Sequence, residues 1–135
     1  MGLCSGISIL LVDHEAGFRS AFASMLREDG HRVIECPDLV ELAGPRPLAA
    51  VDVLVCAHDM PMENGLWLAD RLHASRPLLP AILLAAYCPP SLDDELASRS
   101  FLRLVEKPVA YDTVHVLIHE LATRAPGPAR GATVH

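Results

Sequence analysis

Two polar stretches carry the groups with chemical potential. The segment VLVCAHDMPMENG, residues 53–65, passes from an apolar run into a loop that opens with His58 and Asp59. Asp13 and His14 follow another apolar run, ISILLV, residues 7–12. Carboxylate oxygens suit Mg²⁺, and imidazole with carboxylate suits Zn²⁺ or Ni²⁺. Asp13, His14, His58 and Asp59 are therefore weak metal candidates. No ligand spacing among them is diagnostic, so His14 and His58 are expected to be exposed loop residues with no metal. Asp112, His115 and His119 fall on one helix face at spacings of three and four, a face expected to be solvated. Cys56 and Cys88 can form a redox pair if their loops meet, although Cys56 reads as core and Cys88 as a loop residue. Between these groups, where the run of residues 53–57 ends, stands Ala57, which has no chemistry of its own.

Positioning these groups requires an alternation of strands and helices. Apolar, β-branched runs predict strands over residues 7–12, 32–36, 51–56, 81–85 and 102–105. Spacings of three, four and seven predict a helix over 15–29, with Phe18, Ala21, Phe22, Met25 and Leu26 inward and Gly30 as its stop. A short helix is expected over 37–43, with Pro37 at its first position. Asn64 can cap a helix reaching about Ser75, with Leu68, Ala69 and Leu72 inward. Ser91 and Asp94 resemble a capping box for a helix reaching about Arg99. Val114, Leu117, Ile118 and Leu121 mark the last helix.

Five apolar strands alternating with helices imply a parallel sheet covered on both faces. In such sheets the site lies beyond the carboxyl ends of the strands, at the switch in strand order. That rule selects Asp13-His14, Ala57, Ala85-Ala86 and Lys107.

Composition narrows the function classes. A chain of 135 residues suggests one domain, here residues 1–124, followed by a Pro/Gly-rich tail, 125–135, that is expected to be disordered. The net charge is −6 and the arginines are scattered, which argues against nucleic acid as a partner. No apolar run approaches the roughly 20 residues of a membrane span, and no basic segment precedes an apolar one as in a signal peptide. A cytoplasmic location is the expectation. Cys4, Cys36, Cys56 and Cys88 show neither C-x-x-C nor zinc-finger spacing and read as free thiols. No Gly-rich phosphate loop follows the first strand, which disfavours a flavodoxin-like enzyme.

"ILLVDHE" (9–15), "MPMENG" (60–65) and "EKP" (106–108) together resemble the receiver domain of two-component response regulators, the chemotaxis-regulator (CheY-like) type. The resemblance spans about residues 7–121, and Lys107, the sole lysine, falls on that family's lysine position. It implies a flavodoxin-like, doubly wound five-stranded sheet of order 2-1-3-4-5 with five helices. It also implies a phosphoacceptor Asp at the third strand's tip and two acidic residues that help to hold Mg²⁺. A Ser or Thr after the fourth strand, a Lys after the fifth and an aromatic switch on the fifth complete the family's set.

Carried over position by position, only Asp13 and Lys107 remain of that set. His14 stands at the direct Mg²⁺ ligand, Ala57 at the phosphoacceptor, Ala85 at the Ser/Thr and Leu104 at the switch. The resemblance thus implies a degenerate phosphorylation pocket with Mg²⁺ binding lost or weak, no cofactor and no enzymatic activity. Lys107 is expected to pair with Asp13. Asp59 is the alternative acceptor, and ligand or redox sensing is another alternative. The expected role is that of a stand-alone receiver acting through protein contacts with a histidine kinase, another regulator or a second copy. Leu92, Leu96, Phe101, Leu102 and Val116 are candidate contacts.

Overall fold

In a computed structural model describing residues 6–37, 50–60 and 64–124, all five predicted strands join one parallel sheet. They are β1 (Ser8–Val12), β2 (Arg32–Cys36), β3 (Val53–Ala57), β4 (Ala81–Ala85) and β5 (Leu102–Glu106), in the order β2-β1-β3-β4-β5. β1, β3 and β4 are buried along their whole length, whereas β2 and β5 are partly exposed edges. This gradient explains why the central strands are continuous apolar runs, since both of their faces are covered.

Alternation along each strand divides the core into two layers. Leu10, Val12, Leu54, Cys56 and Leu83 face a layer that includes Leu68, Leu72 and Leu92. Ile9, Leu11, Val53, Val55, Ile82 and Leu84 face Phe22, Leu26, Val114 and Ile118. The helices supplying these side chains are α1 (Ala16–Glu28), α2 (Gly65–Ser75), α3 (Pro90–Ala97) and α4 (Tyr111–Arg124). Each fully buried Leu or Ile contributes roughly 1.5–3 kcal/mol of transfer free energy.

The described residues contain four helices rather than the five expected. Apart from Pro37, the helix expected over 37–43 lies outside the described residues, as do Cys4 and the tail from Ala125. On α1 the buried stripe is Phe22, Ala23 and Leu26, while Ala21 and Met25 are exposed. The stripe is therefore rotated slightly from the predicted one, so that α1 covers β1 with its 22–23–26 face. Gly30 stops α1 at φ +93°, as expected of a residue without Cβ. Asn64 caps α2, its side chain accepting the Trp67 N–H at 2.8 Å. The capping box at Ser91 does not form. α3 starts earlier, behind Pro89 with Pro90 in its first turn, and has no side-chain cap, because proline already presets the entry backbone.

A bidentate ion pair ties α2 to the turn before β5. Arg99 Nε and Nη2 donate to the Asp70 carboxylate at 2.8 and 2.7 Å. These hydrogen bonds hold the Asp70 carboxyl below the usual range, against a smaller opposing effect of burial. The Asp70 side chain is 42% exposed, so solvent screening limits the pair to about 1 kcal/mol or less. A depressed carboxyl pKa contributes stability above the unfolded value, and that contribution is lost as pH falls through the folded value. Asp70→Asn is thus expected to be less stable than wild type in urea at pH 7. The difference should begin to fade below about pH 4, the ordinary carboxyl value, and disappear once the pH has passed below the depressed folded value.

Candidate functional site

The carboxyl ends of β1, β3, β4 and β5 bring Asp13, Ala57, Ala85 and Lys107 to one end of the sheet. Backbone hydrogen bonds fix that end. The His58 N–H donates to the Leu84 carbonyl and the Lys107 N–H to the Ala85 carbonyl, each at 2.8 Å. Asp59 adds a side-chain tie, its Oδ2 accepting the Ala86 N–H at 2.9 Å. One oxygen of the alternative acceptor is thereby engaged in joining the loops after β3 and β4.

Asp13 is 1% exposed. Its Oδ1 accepts the Glu15 N–H at 2.9 Å, and its backbone carbonyl accepts from Arg19 Nη1 at 2.7 Å. Arg19 also donates to Glu35 at 3.3 Å, so it spans from the β1 loop to β2. Nothing in the spacing singled out Arg19; only the β1–β2 pairing places it there. Asp13 Oδ2 has no hydrogen-bond partner, but Lys107 Nζ stands 3.7 Å away as its counter-charge. The ammonium also lies 5.3 Å above the centre of the Phe18 ring, within cation–π range. The expected Asp13–Lys107 pairing is thus present.

The remaining positions contribute little polarity. Ala57 and Ala85 are completely buried methyl groups. Leu104 is half-buried against the core beneath α2 and α3. His14 is exposed, its Nδ1 4.0 Å from Asp13 Oδ1, matching the loop reading. His58 is half-buried with an unpartnered Nδ1, contrary to its expected exposure, because the chain turns back to α2 directly after it.

This donor set does not fit Mg²⁺. The ion needs several oxygen ligands in near-octahedral array. Asp13 brings one carboxylate, already facing an ammonium, and its neighbours are an imidazole and a methyl group. Asp13, His14 and Asp59 do not converge as a ligand cluster among the described residues.

Thiol chemistry is also disfavoured. Cys56 and Cys88 are free thiols. Burial, helped by the Asp13 charge, pushes the Cys56 thiol up to about 12, and its S–H faces the Gly65 carbonyl at 3.6 Å. Burial and then Glu106, Asp93 and Asp59 raise the Cys88 thiol too. Neither forms the reactive thiolate readily.

The structure sets the exposure of the candidate contact residues and alters one surface expectation. Of the candidate contact residues, only Val116 is largely exposed; Leu92 and Leu102 are core, and Leu96 and Phe101 are half-buried. Phe101 stacks on His73 at 3.8 Å between ring centres. The His115/His119 face of α4 is half-buried rather than solvated, because His31 packs against it, while Asp112 remains exposed.

Comparison with known proteins agrees with this architecture. The response regulator receiver domain family matches residues 9–119. The non-phosphorylated HemR receiver domain of Leptospira biflexa superposes with a TM-score of 0.80 at 21% identity, covering 90% of this chain and 98% of that one. A CheY-like receiver domain protein of Methanospirillum hungatei JF-1 gives 0.77 at 18% identity, covering 90% and 97%. A receiver domain protein of Clostridium thermocellum gives 0.73 at 20% identity, covering 87% and 95%. No curated protein sequence matches the chain. No helix among the described residues is long and apolar enough to cross a membrane. With the family match spanning five strands and most of the last helix, the chain belongs to the response regulator receiver domain family of two-component signalling.

Proposed function

We propose that this receiver is a pseudo-receiver, which signals through protein contacts without passing through a phosphorylated state. One observation carries the reading: the residue at the tip of β3 is Ala57, a buried methyl group with no nucleophile. The surroundings support it. Asp13 already has Lys107 as its counter-ion, and Ala85 offers no hydroxyl to a phosphoryl oxygen. Leu104 has no ring whose rotamer could report a modified state. Phosphoryl transfer depends on in-line positioning and on cations that neutralise the developing charge, and both are reduced here. Receiver switching is a population shift between two states. In this chain the partner itself supplies the bias: a histidine kinase, another regulator or a second copy, met in the cytoplasm. No nucleic acid, membrane, cofactor or catalytic step enters this proposal.

The competing reading uses Asp59 as acceptor, and one experiment separates the two. The protein is incubated with acetyl phosphate and Mg²⁺, and its intact mass is measured. The expected spectrum is that of the unmodified chain. A phosphoryl adduct that disappears in Asp59→Asn would overturn the proposal in favour of the displaced acceptor.

A further inference from the structure

Three imidazoles meet at the seam between α1 and α4, at the opposite end of the sheet from Asp13 and Lys107. His31 stands one residue before β2, at the amino end of that strand. His115 and His119 are one turn apart on α4. His115 Nε2 lies 3.0 Å from His31 Nε2 and 3.1 Å from His119 Nε2. One nitrogen from each residue falls within 4.8 Å of the other two. His31 is 5% exposed, and the other two rings are half-buried.

Asp29 stands behind this group. Its Oδ2 is 3.8 Å from His115 Nδ1 and accepts the Tyr111 hydroxyl at 2.6 Å. A carboxylate on that side of an imidazole favours the proton on Nδ1 and leaves the Nε2 lone pair free to ligate. Tetrahedral zinc, with Zn–N bonds near 2.0–2.1 Å, places its nitrogen ligands about 3.3 Å apart. The two short separations need to open by only a few tenths of an ångström to reach that value.

We propose that His31, His115 and His119 form a three-imidazole site for a divalent transition ion of the zinc type, with Asp29 orienting His115 and water completing the coordination. The all-nitrogen donor set excludes Mg²⁺ and Ca²⁺ and suits Zn²⁺. An ion held there ties the turn after α1 to α4, segments distant in sequence, and stabilises the folded chain. This site is independent of the reading of Ala57.

The test uses tag-free, metal-stripped protein titrated calorimetrically with Zn²⁺. One equivalent is expected to bind, and a hundredfold excess over Kd should raise Tm by about 5–10 °C. Co²⁺ is expected to bind with the visible absorption of a four-coordinate centre. His119→Gln, on the outer side of the cluster, should weaken Zn²⁺ binding by about 100-fold or more, since loss of an outer-shell partner alone costs about 10–100-fold. His14→Gln should bind as wild type does. Because His31 is buried and its replacement can disturb folding, His119→Gln, checked for native circular dichroism, decides the question. Absence of saturable binding by the wild type, or undiminished binding by His119→Gln, would show a hydrogen-bonded imidazole cluster only and overturn the proposal.

Discussion

Lys107→Met is expected to lose about 2–4 kcal/mol of folding stability at pH 7. Removing one partner of a buried ion pair leaves an uncompensated charge, which typically costs about 3–5 kcal/mol. Asp13 is 1% exposed, so its carboxylate cannot turn to water for a replacement. Lys107 retains 25% exposure, and the lower end of the range allows for that partial hydration. The Glu15 N–H remains as a hydrogen-bond donor to Asp13 Oδ1 and limits the loss further. The effect should belong to the charge and not to the methylenes, because methionine preserves most of the side chain's bulk beside Phe18. Adding Asp13→Asn to Lys107→Met should then recover most of the stability, the neutral amide having no charge to leave buried. Urea unfolding of the wild type, the two single variants and the double variant closes the cycle. The pair should also be little affected by added salt, since buried charges are poorly screened. Equal stability of wild type and Lys107→Met would mean that Lys107 serves only as part of the Lys-Pro exit from β5.

The pairing illustrates what the sequence makes legible. Asp13 and Lys107 lie far apart in the chain, but each closes an apolar strand, and parallel strands deliver their carboxyl ends to the same side. The central strands were readable because burial on both faces leaves no polar alternation to obscure them. Edges and helix starts were less so. β3 runs from Val53 to Ala57, shifted from the expected 51–56; Asp52 stands at the start of the ladder, its backbone N–H donating to the Ser8 carbonyl at 2.8 Å while its side chain accepts the Ser8 N–H. α3 begins at Pro90, behind Pro89, and not at Ser91, since preset backbone angles outrank a weak capping signal. The histidine group was half legible. His115 and His119 announce themselves by helical spacing, but His31 stands 84 residues from His115 and joins it only through the packing of α1 beside α4. Counting which helices share a face of a doubly wound sheet was the available signal, since α1 and α4 cover the same one.

Gly65→Ala is expected to cost about 3 kcal/mol, because α2 enters against the tip of β3 with no room for a side chain. A Cβ built on Gly65 would overlap the Ala57 carbonyl oxygen and come within 2.7 Å of Leu83 Cδ1. Leu83 can change rotamer, but the carbonyl belongs to a strand buried on both faces. The helix must therefore retreat, and overpacking of this kind costs about 1–3 kcal/mol and occasionally more. Working in the opposite direction, alanine is up to about 1 kcal/mol better than glycine inside a helix. At the first position of α2 that gain is smaller, so the steric cost prevails. Gly17 supplies the control. It is the second residue of α1, and a Cβ there meets nothing within 4 Å, so Gly17→Ala should gain about 0.5 kcal/mol, less than in a helix interior. Thermal unfolding of both variants beside the wild type reads the contrast as Tm shifts of opposite sign. The retreat of α2 would also disturb the Gly65 N–H···O=C His58 bond, 3.0 Å long, and with it the loop that carries Asp59. A Gly65→Ala protein as stable as the wild type would mean that α2 does not approach Ala57 this closely, and the fixed geometry assigned to the β3 tip would fail with it.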